Sequence, residues 1–236
     1  MVEGHESVSS WRPTPQPAPT PARQAVLDAV AGVVVGIDAG RLRICVDGFT
    51  AAGKTTFSVE LAASIRELGR PTMRASFDDF KHPWSHAFTH GYDRTSGEGY
   101  YRNAPDLDSA RDLLLAPAGR DGTGDVVLCA HDPLTGEDHR AVTVRAAPDA
   151  VLVVDSVFAM RPEYDSFWDL RIWLDVPAEV SLDRGVERDT EMEGSVAAAE
   201  ALHRDRSHAA EQIYVAEVDR SPEPTSSSTT PTSGRP

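Results

Sequence analysis

Apolar and polar positions along the chain fall into two alternating kinds of segment. RLRICVDG (41–48) and PTMRASFD (71–78) predict two strands, and AVLVVDSVFAM (150–160) and LRIWLDVP (170–177) are continuously apolar runs. Such runs predict strands buried on both faces, as in a parallel sheet. Between them, residues 22–34 and 54–68 place apolar side chains at helical spacing, the second stretch ending at Gly69 and Pro71. Further helices are predicted near 107–115, over 178–190 and over about 195–218. VVLCAHD and AVTVRA, separated by a stretch holding TGED, predict a β-hairpin. Residues 80–104 are rich in His, Tyr, Gly and Pro and have no clean period; a segment this long inside a compact domain is usually a functional loop or lid. Strands alternating with helices give an α/β fold: a mostly parallel sheet flanked by helices in three layers, with a small β-hairpin/lid insertion.

Composition sets the ends of that domain. Residues 1–20 hold WRPTPQPAPTP and are expected to be a disordered lead-in; residues 221–236, rich in Ser, Thr and Pro, are expected to be a disordered tail. The folded domain is assigned to 21–220. The formal net charge of −14 argues against a nucleic-acid partner and an anionic membrane surface. No apolar stretch approaches the roughly 18 residues of a membrane span, and the N-terminus lacks a secretory pattern, so a cytoplasmic protein is expected. Cys45 and Cys129 lie in apolar strand-like runs and read as buried free thiols. No internal repeat is present.

The chemistry concentrates after the first predicted strand. Residues Gly48, Phe49, Thr50, Ala51, Ala52, Gly53, Lys54, Thr55 and Thr56 complete a G-x-x-x-x-G-K-[ST] loop between a strand and a helix. Such a loop turns backbone N–H groups around nucleotide phosphates, its lysine reaches the β/γ oxygens, and the hydroxyl of Thr55 is placed to hold Mg²⁺. The chain has two lysines, Lys54 and Lys81, against 21 arginines, and one of the two falls where the motif requires it. A nucleoside triphosphate is therefore the expected ligand. Guanine recognition through N-K-x-D is excluded, because the single asparagine, Asn103, has the wrong setting.

Three further features concern the reaction. Asp78 and Asp79 close the second strand at the edge that borders a γ-phosphate in this architecture, where a carboxylate can take a proton from an attacking hydroxyl. Asp155 closes VLVVD in a Walker-B position suited to Mg²⁺. A solvated strand-end acid is the competing reading at both places. Arg184 and Arg188 share a helix face at i, i+4 spacing and could supply forked donors to a transition state; a salt-bridged surface helix is the alternative. His82, His86 and His90 recur every fourth residue, a metal-binding spacing on a helix, although Pro83 and the Gly91 turn interrupt one. A polar substrate loop is the competing reading.

VDGFTAAGKTTFSVELA, SFDDF, EGYYRNAPDLD, VLVVDSVFAMRPEYDSFWDLRIWLDVPAEVSLDRGVERD and EQIYVAE occur in that order over about residues 22–218. Together they resemble the uridine kinase branch of the P-loop kinases, which includes phosphoribulokinase and bacterial pantothenate kinase; the actinobacterial-type uridine kinase-like proteins are the nearest form. The resemblance implies a P-loop NTPase sandwich and transfer of the γ-phosphate of ATP or GTP, with Mg²⁺, to a nucleoside 5′-hydroxyl, most simply that of uridine or cytidine. Pantothenate kinase-like activity and a degenerate, non-catalytic nucleotide binder are the alternatives. It implies Asp78 as proton acceptor, Lys54, Arg184 and Arg188 around the transferred phosphate, and Thr55 and Asp155 at Mg²⁺. Asp106 or Asp108 would hold ribose hydroxyls, with Tyr100, Tyr101 and Arg102 nearby; an aromatic pair packing a loop onto the domain is equally compatible. Homo-oligomerisation is left open. Ser207 and Glu211 stand where relatives tend to carry tyrosine and glycine, the lid stretch ERDTEMEGS is acidic where they carry arginines, and their final strand is replaced by SPEPTSSS.

Overall fold

The computed structural model describes residues 3–12 and 18–218. A central sheet holds five parallel strands in the order β1-β3-β6-β2-β7: β1 (Gly4–Glu6), β2 (Leu42–Gly48), β3 (Thr72–Ser76), β6 (Val151–Asp155) and β7 (Leu170–Leu174). β6 lies between β2 and β3, with Asp155 level with Val46 on one side and Ser76 on the other. The α/β fold with a mostly parallel sheet is as expected.

Strand periodicity explains why this sheet needs helices on both faces. Val151 and Val153 of β6, with Ile44 and Val46 of β2, pack under Leu27 of α1 (Pro21–Val35) and Leu61 of α2 (Lys54–Glu67). Leu152 and Val154, with Cys45, Met73 and Ala75, face the other way, against Leu114, Leu115, Tyr164 and Trp168. Each of the valine, leucine, isoleucine and methionine side chains among them contributes roughly 1.5–3 kcal/mol of burial. Both cysteines are buried and free.

Residues 80–104 are not a loop throughout. They contain α3 (Trp84–His90) and α4 (Gly97–Asn103), the latter N-capped by the Ser96 hydroxyl accepting from the Gly99 amide. The next helical stretch joins α5 (Leu107–Ser109), a π-helical segment (Ala110–Leu115) and α6 (Ala116–Ala118). The predicted hairpin is present as antiparallel β4 (Asp125–Val127) and β5 (Thr143–Arg145), shorter than expected. It is shorter because the amides of Ala130 and His131 turn to the Asp79 carbonyl, which draws the chain away from β4. The remaining helices are α7 (Pro162–Asp165), α8 (Ala178–Glu193), α9 (Val196–Leu202), a second π-helical segment (His203–His208) and α10 (Ala209–Glu217). No described helix is long and apolar enough to cross a membrane.

One departure lies at the N-terminus. The expectation of a structureless stretch over 1–20 does not hold for Gly4–Glu6, which pairs with Thr72–Arg74 as the edge strand. Glu6 meets Arg74 at 2.9 Å, and the Ser7 hydroxyl donates to Asp79 at 2.6 Å. These side-chain partners and the backbone pairing with β3, rather than any hydrophobic pattern, hold the segment. The tail expected over 221–236 lies outside the described residues.

Candidate active site

The carboxyl ends of β2, β3 and β6 converge at one edge of the sheet, where parallel α/β folds bind ligands. β2 runs directly into the glycine-lysine loop, and α2 starts at Lys54 with no side-chain cap, leaving its first amides to an outside acceptor. Two glycines are dictated by geometry. A Cβ on Gly48 would stand 2.8 Å from the Leu174 carbonyl oxygen, and Gly53 sits at φ +92° with open space where its Cβ would project. The buried Lys54 ammonium folds onto the Phe49 carbonyl at 2.7 Å. Burial is the main influence on Lys54 and lowers its pKa, while Asp47, Asp78, Glu211 and Asp155 all oppose that shift.

Asp47, just before the loop, is fully buried and pins it. Its carboxylate accepts from the Gly48 amide at 2.7 Å, the Met160 amide at 3.1 Å and the Tyr214 hydroxyl. Asp155 accepts from the Thr55 hydroxyl at 2.9 Å, Arg74 at 2.8 Å and Ser76 at 3.1 Å. A threonine hydroxyl and a strand-end carboxylate meeting beside the phosphate loop form an oxygen donor set that fits Mg²⁺. Burial raises the pKa of Asp155, and Arg74 works against that rise.

Asp78 opens a 3₁₀ turn (Phe77–Phe80) capped by Ser76. Lys81 meets it at 2.6 Å and also donates to the Tyr100 hydroxyl at 2.9 Å. The Lys81 charge holds the Asp78 carboxyl below its ordinary pKa, with burial opposing and Lys54 and Arg188 adding to the depression. Asp78 therefore lies within electrostatic reach of both the loop lysine and α8. A small cavity beside it is lined by Phe77, Phe80, Lys81, Phe158, Arg161 and Tyr164. A larger, open depression bordered by Arg43, Asp112, Arg120 and Asp169 lies at the opposite end of β2, away from this chemistry.

The other expected site residues divide. Arg188 is held by Asp189 and its charge interacts with that of Asp78, whereas the exposed Arg184 side chain has no hydrogen bond or ion pair among the described residues. Asp106 is buried as an N-cap, accepting from the Ser109 amide at 3.1 Å and hydroxyl at 2.7 Å. Asp108 is exposed and paired with Arg111 at 2.8 Å. Neither carboxylate lines the cavity beside Asp78. Tyr101 is fully buried among Phe158, Ala210 and Tyr214, its hydroxyl donating to Glu217 at 2.9 Å, so it packs α4 against α10. Arg102 is drawn outward by Glu98 and Glu217. Of the aromatic pair it is Tyr100 that faces the site. His82, His86 and His90 stack ring on ring at 4.3 and 4.0 Å, and among the described residues no group of three or more His, Cys, Asp or Glu could hold a metal.

Lys81, Arg74, Asp47 and Tyr214 were not singled out by sequence reasoning. Lys81 carried a signal, being the second of two lysines and three residues beyond Asp78. The others are buried polar groups whose partners are distant in the chain.

No protein-family model matches the chain, and no curated protein matches it. Solved structures do. A protein assigned as a fructose transport system kinase, from Silicibacter sp. TM1040, superposes with a TM-score of 0.65 at 20% identity, over 81% of this chain and 94% of that one. A protein assigned as a uridine kinase, from Bacillus stearothermophilus, gives 0.62 at 21%, over 82% and 91%. The YGR205w protein gives 0.53 at 13%, over 80% and 85%. At these identities the likeness establishes the fold.

Proposed function

With the P-loop kinase fold as premise, we propose that this protein transfers the γ-phosphate of a nucleoside triphosphate to a small-molecule alcohol. The observation that carries this reading is Asp78, which lines the small cavity after β3 and interacts with the charge of the loop lysine. Residues 48–56 bind the triphosphate through backbone amides and Lys54. Thr55 and Asp155 would hold Mg²⁺, which when bound neutralises phosphate charge. Asp78 accepts the proton of the acceptor hydroxyl while its oxygen bonds to the γ-phosphorus and the bond to the β-phosphate oxygen breaks, leaving the nucleoside diphosphate. Arg188 and Lys54 supply positive charge where negative charge builds up. Uridine or cytidine as acceptor, in a pyrimidine salvage role, follows from the resemblance. The capping role of Asp106 and the outward pair of Asp108 with Arg111 remove the ribose-diol clamp that would favour it over other small alcohols, pantothenate included.

A second reading has its own support. The Glu211 carboxylate accepts from the Thr50 amide, inside the phosphate loop, which suits a nucleotide holder that does not turn over. To separate the two, the protein is incubated with Mg-ATP or Mg-GTP and a panel of uridine, cytidine, other nucleosides, pantothenate, sugars and sugar phosphates, and phosphorylated products are read by mass spectrometry. A phosphorylated acceptor supports the kinase. Tight nucleotide binding with no product across the panel supports the holder.

A further inference from the structure

Tyr100 sits at the centre of a cluster of positive charge. Lys81 donates to its hydroxyl, and the Arg206 guanidinium lies over its ring at 5.0 Å. The charges of Arg94 and Arg188 also interact with it. Two of these cations are neutralised: Lys81 by Asp78 at 2.6 Å, and Arg188 by Asp189 at 2.7 Å.

Arg94 and Arg206 are not. Arg94 is 7% exposed, stacks on Trp84 at 4.4 Å and donates to the His82 carbonyl. Among the described residues no carboxylate forms an ion pair with it. The Arg206 side chain, from the π-helical segment, has no hydrogen bond or ion pair among the described residues, and its Nε is buried without a partner. Burial lowers the pKa of Arg94, and repulsion between the two guanidinium groups adds to that shift. A buried, unpaired charge beside a like charge is costly, and an orphaned donor adds to that cost. Stacking on an aromatic ring offsets part of it but gives Nε no acceptor. In a chain of net charge −14, acidic partners are plentiful, yet among the described residues none pairs with either guanidinium. An anion supplied from outside answers both the unpaired charge and the missing acceptor.

Resting on the kinase reading above, we propose that Arg94 and Arg206 form an anion-binding subsite next to the cavity at Asp78, outside its lining and reached past Lys81 and Tyr100, so that the alcohol phosphorylated here carries a carboxylate or phosphate group of its own. Tyr100 links this subsite to the reaction centre, since Lys81 touches both its hydroxyl and Asp78. The acceptor's anionic end would lie against the guanidinium pair and its hydroxyl end at Asp78. The chain supplies two separate stations for negative charge, the phosphate loop for the donor and this pair for the acceptor.

The test has two arms on the full chain. In the first, inorganic phosphate is titrated while the arginine Nε–H resonances are followed by NMR. Phosphate should shift the Arg206 Nε–H signal, and Arg206→Gln should remove that binding event while leaving the shifts of the Gly53 and Lys54 amides; Arg206→Lys should retain part of it. Shifts confined to the phosphate loop would overturn the subsite. In the second arm, matched acceptors are compared: glycerol with glycerol 3-phosphate and glycerate, and ribose with ribose 5-phosphate. The anionic member of a pair should be preferred at least about tenfold. Arg206→Gln should erase that preference by raising acceptor KM, with nucleotide affinity unchanged. Turnover indifferent to the anionic group and to Arg206 would leave the kinase standing and sink the subsite. Phosphate binding at Arg206 with no alcohol phosphorylated would do the reverse, leaving an anion site without the transfer reaction. Weakened nucleotide binding in Arg206→Gln would assign the pair to the donor and overturn the proposal.

Discussion

The Glu211 carboxylate, carried on α10, accepts a hydrogen bond from the backbone amide of Thr50 in the phosphate loop. It is buried, and its charge also acts on Lys54. A carboxylate on a loop amide stands where a phosphate oxygen would otherwise find a donor, and it repels the approaching triphosphate. Removing that charge is expected to tighten Mg-ATP binding. Glu211→Gln should lower the dissociation constant by roughly three- to tenfold, the difference of about 1 kcal/mol between a charged and a neutral acceptor, measured by calorimetry. Unchanged or weaker binding would mean that Glu211 supports the loop rather than competing for it.

The Lys81 contact makes a second prediction. With its pKa held down chiefly by Lys81, Asp78 stays ionised to lower pH than an ordinary carboxylate. The acid limb of kcat/KM should therefore lie below the usual aspartate range, near pH 4. Lys81→Met removes the largest depressing influence and leaves burial, which acts upward. The acid limb should move to higher pH in that variant; a limb that stays in place would separate Lys81 from the ionisation of Asp78.

Asp79 behaves in the opposite sense. Burial raises its pKa to about 6, against the hydrogen bonds from Ser7 and Ser9. A carboxyl whose folded pKa exceeds its unfolded value of about 3.9 contributes stability that is complete below that lower value. That contribution is lost as pH rises through about 6. Urea unfolding at pH 4.5 and pH 8 should show this loss, and Asp79→Asn should flatten it and stabilise the protein at pH 8. A variant with the same pH dependence as the parent would contradict the assignment.

The Arg74–Asp155 pair is almost fully buried, with side chains 7% and 3% exposed. Truncating one partner of a buried pair strands the other. Arg74→Met should destabilise the fold by about 3 kcal/mol in urea melts. A loss under about 1 kcal/mol would show that Ser76 and Thr55 suffice to hold Asp155.

Which of these features could be seen in the chain before folding follows from range. The phosphate loop was legible because its chemistry is contiguous, and Asp78 and Asp155 because each ends an apolar run. The capping role of Asp106 was also within reach: an aspartate with Ser109 three residues later, opening a helix, is a capping pattern. A ribose role competed with that reading and obscured it. Tyr100 and Tyr101 could not be separated, since which of two adjacent aromatics faces inward depends on how α4 rolls against α10. β1 escaped because three residues show no period, and its partners, Arg74 and Asp79, lie some 70 residues away. Glu211 was visible as an unusual residue, but its meeting with Thr50 belongs to the tertiary fold alone.

The measurement closest to the central claim is single-turnover transfer from Mg-ATP in the parent and in Asp78→Asn, alongside their nucleotide affinities. Removing the proposed proton acceptor should slow transfer by at least about 100-fold, within the range for general-base catalysis, while nucleotide binding changes by less than about threefold. Transfer at the parental rate in Asp78→Asn would contradict the account, because the reaction would then proceed without the carboxylate on which it rests.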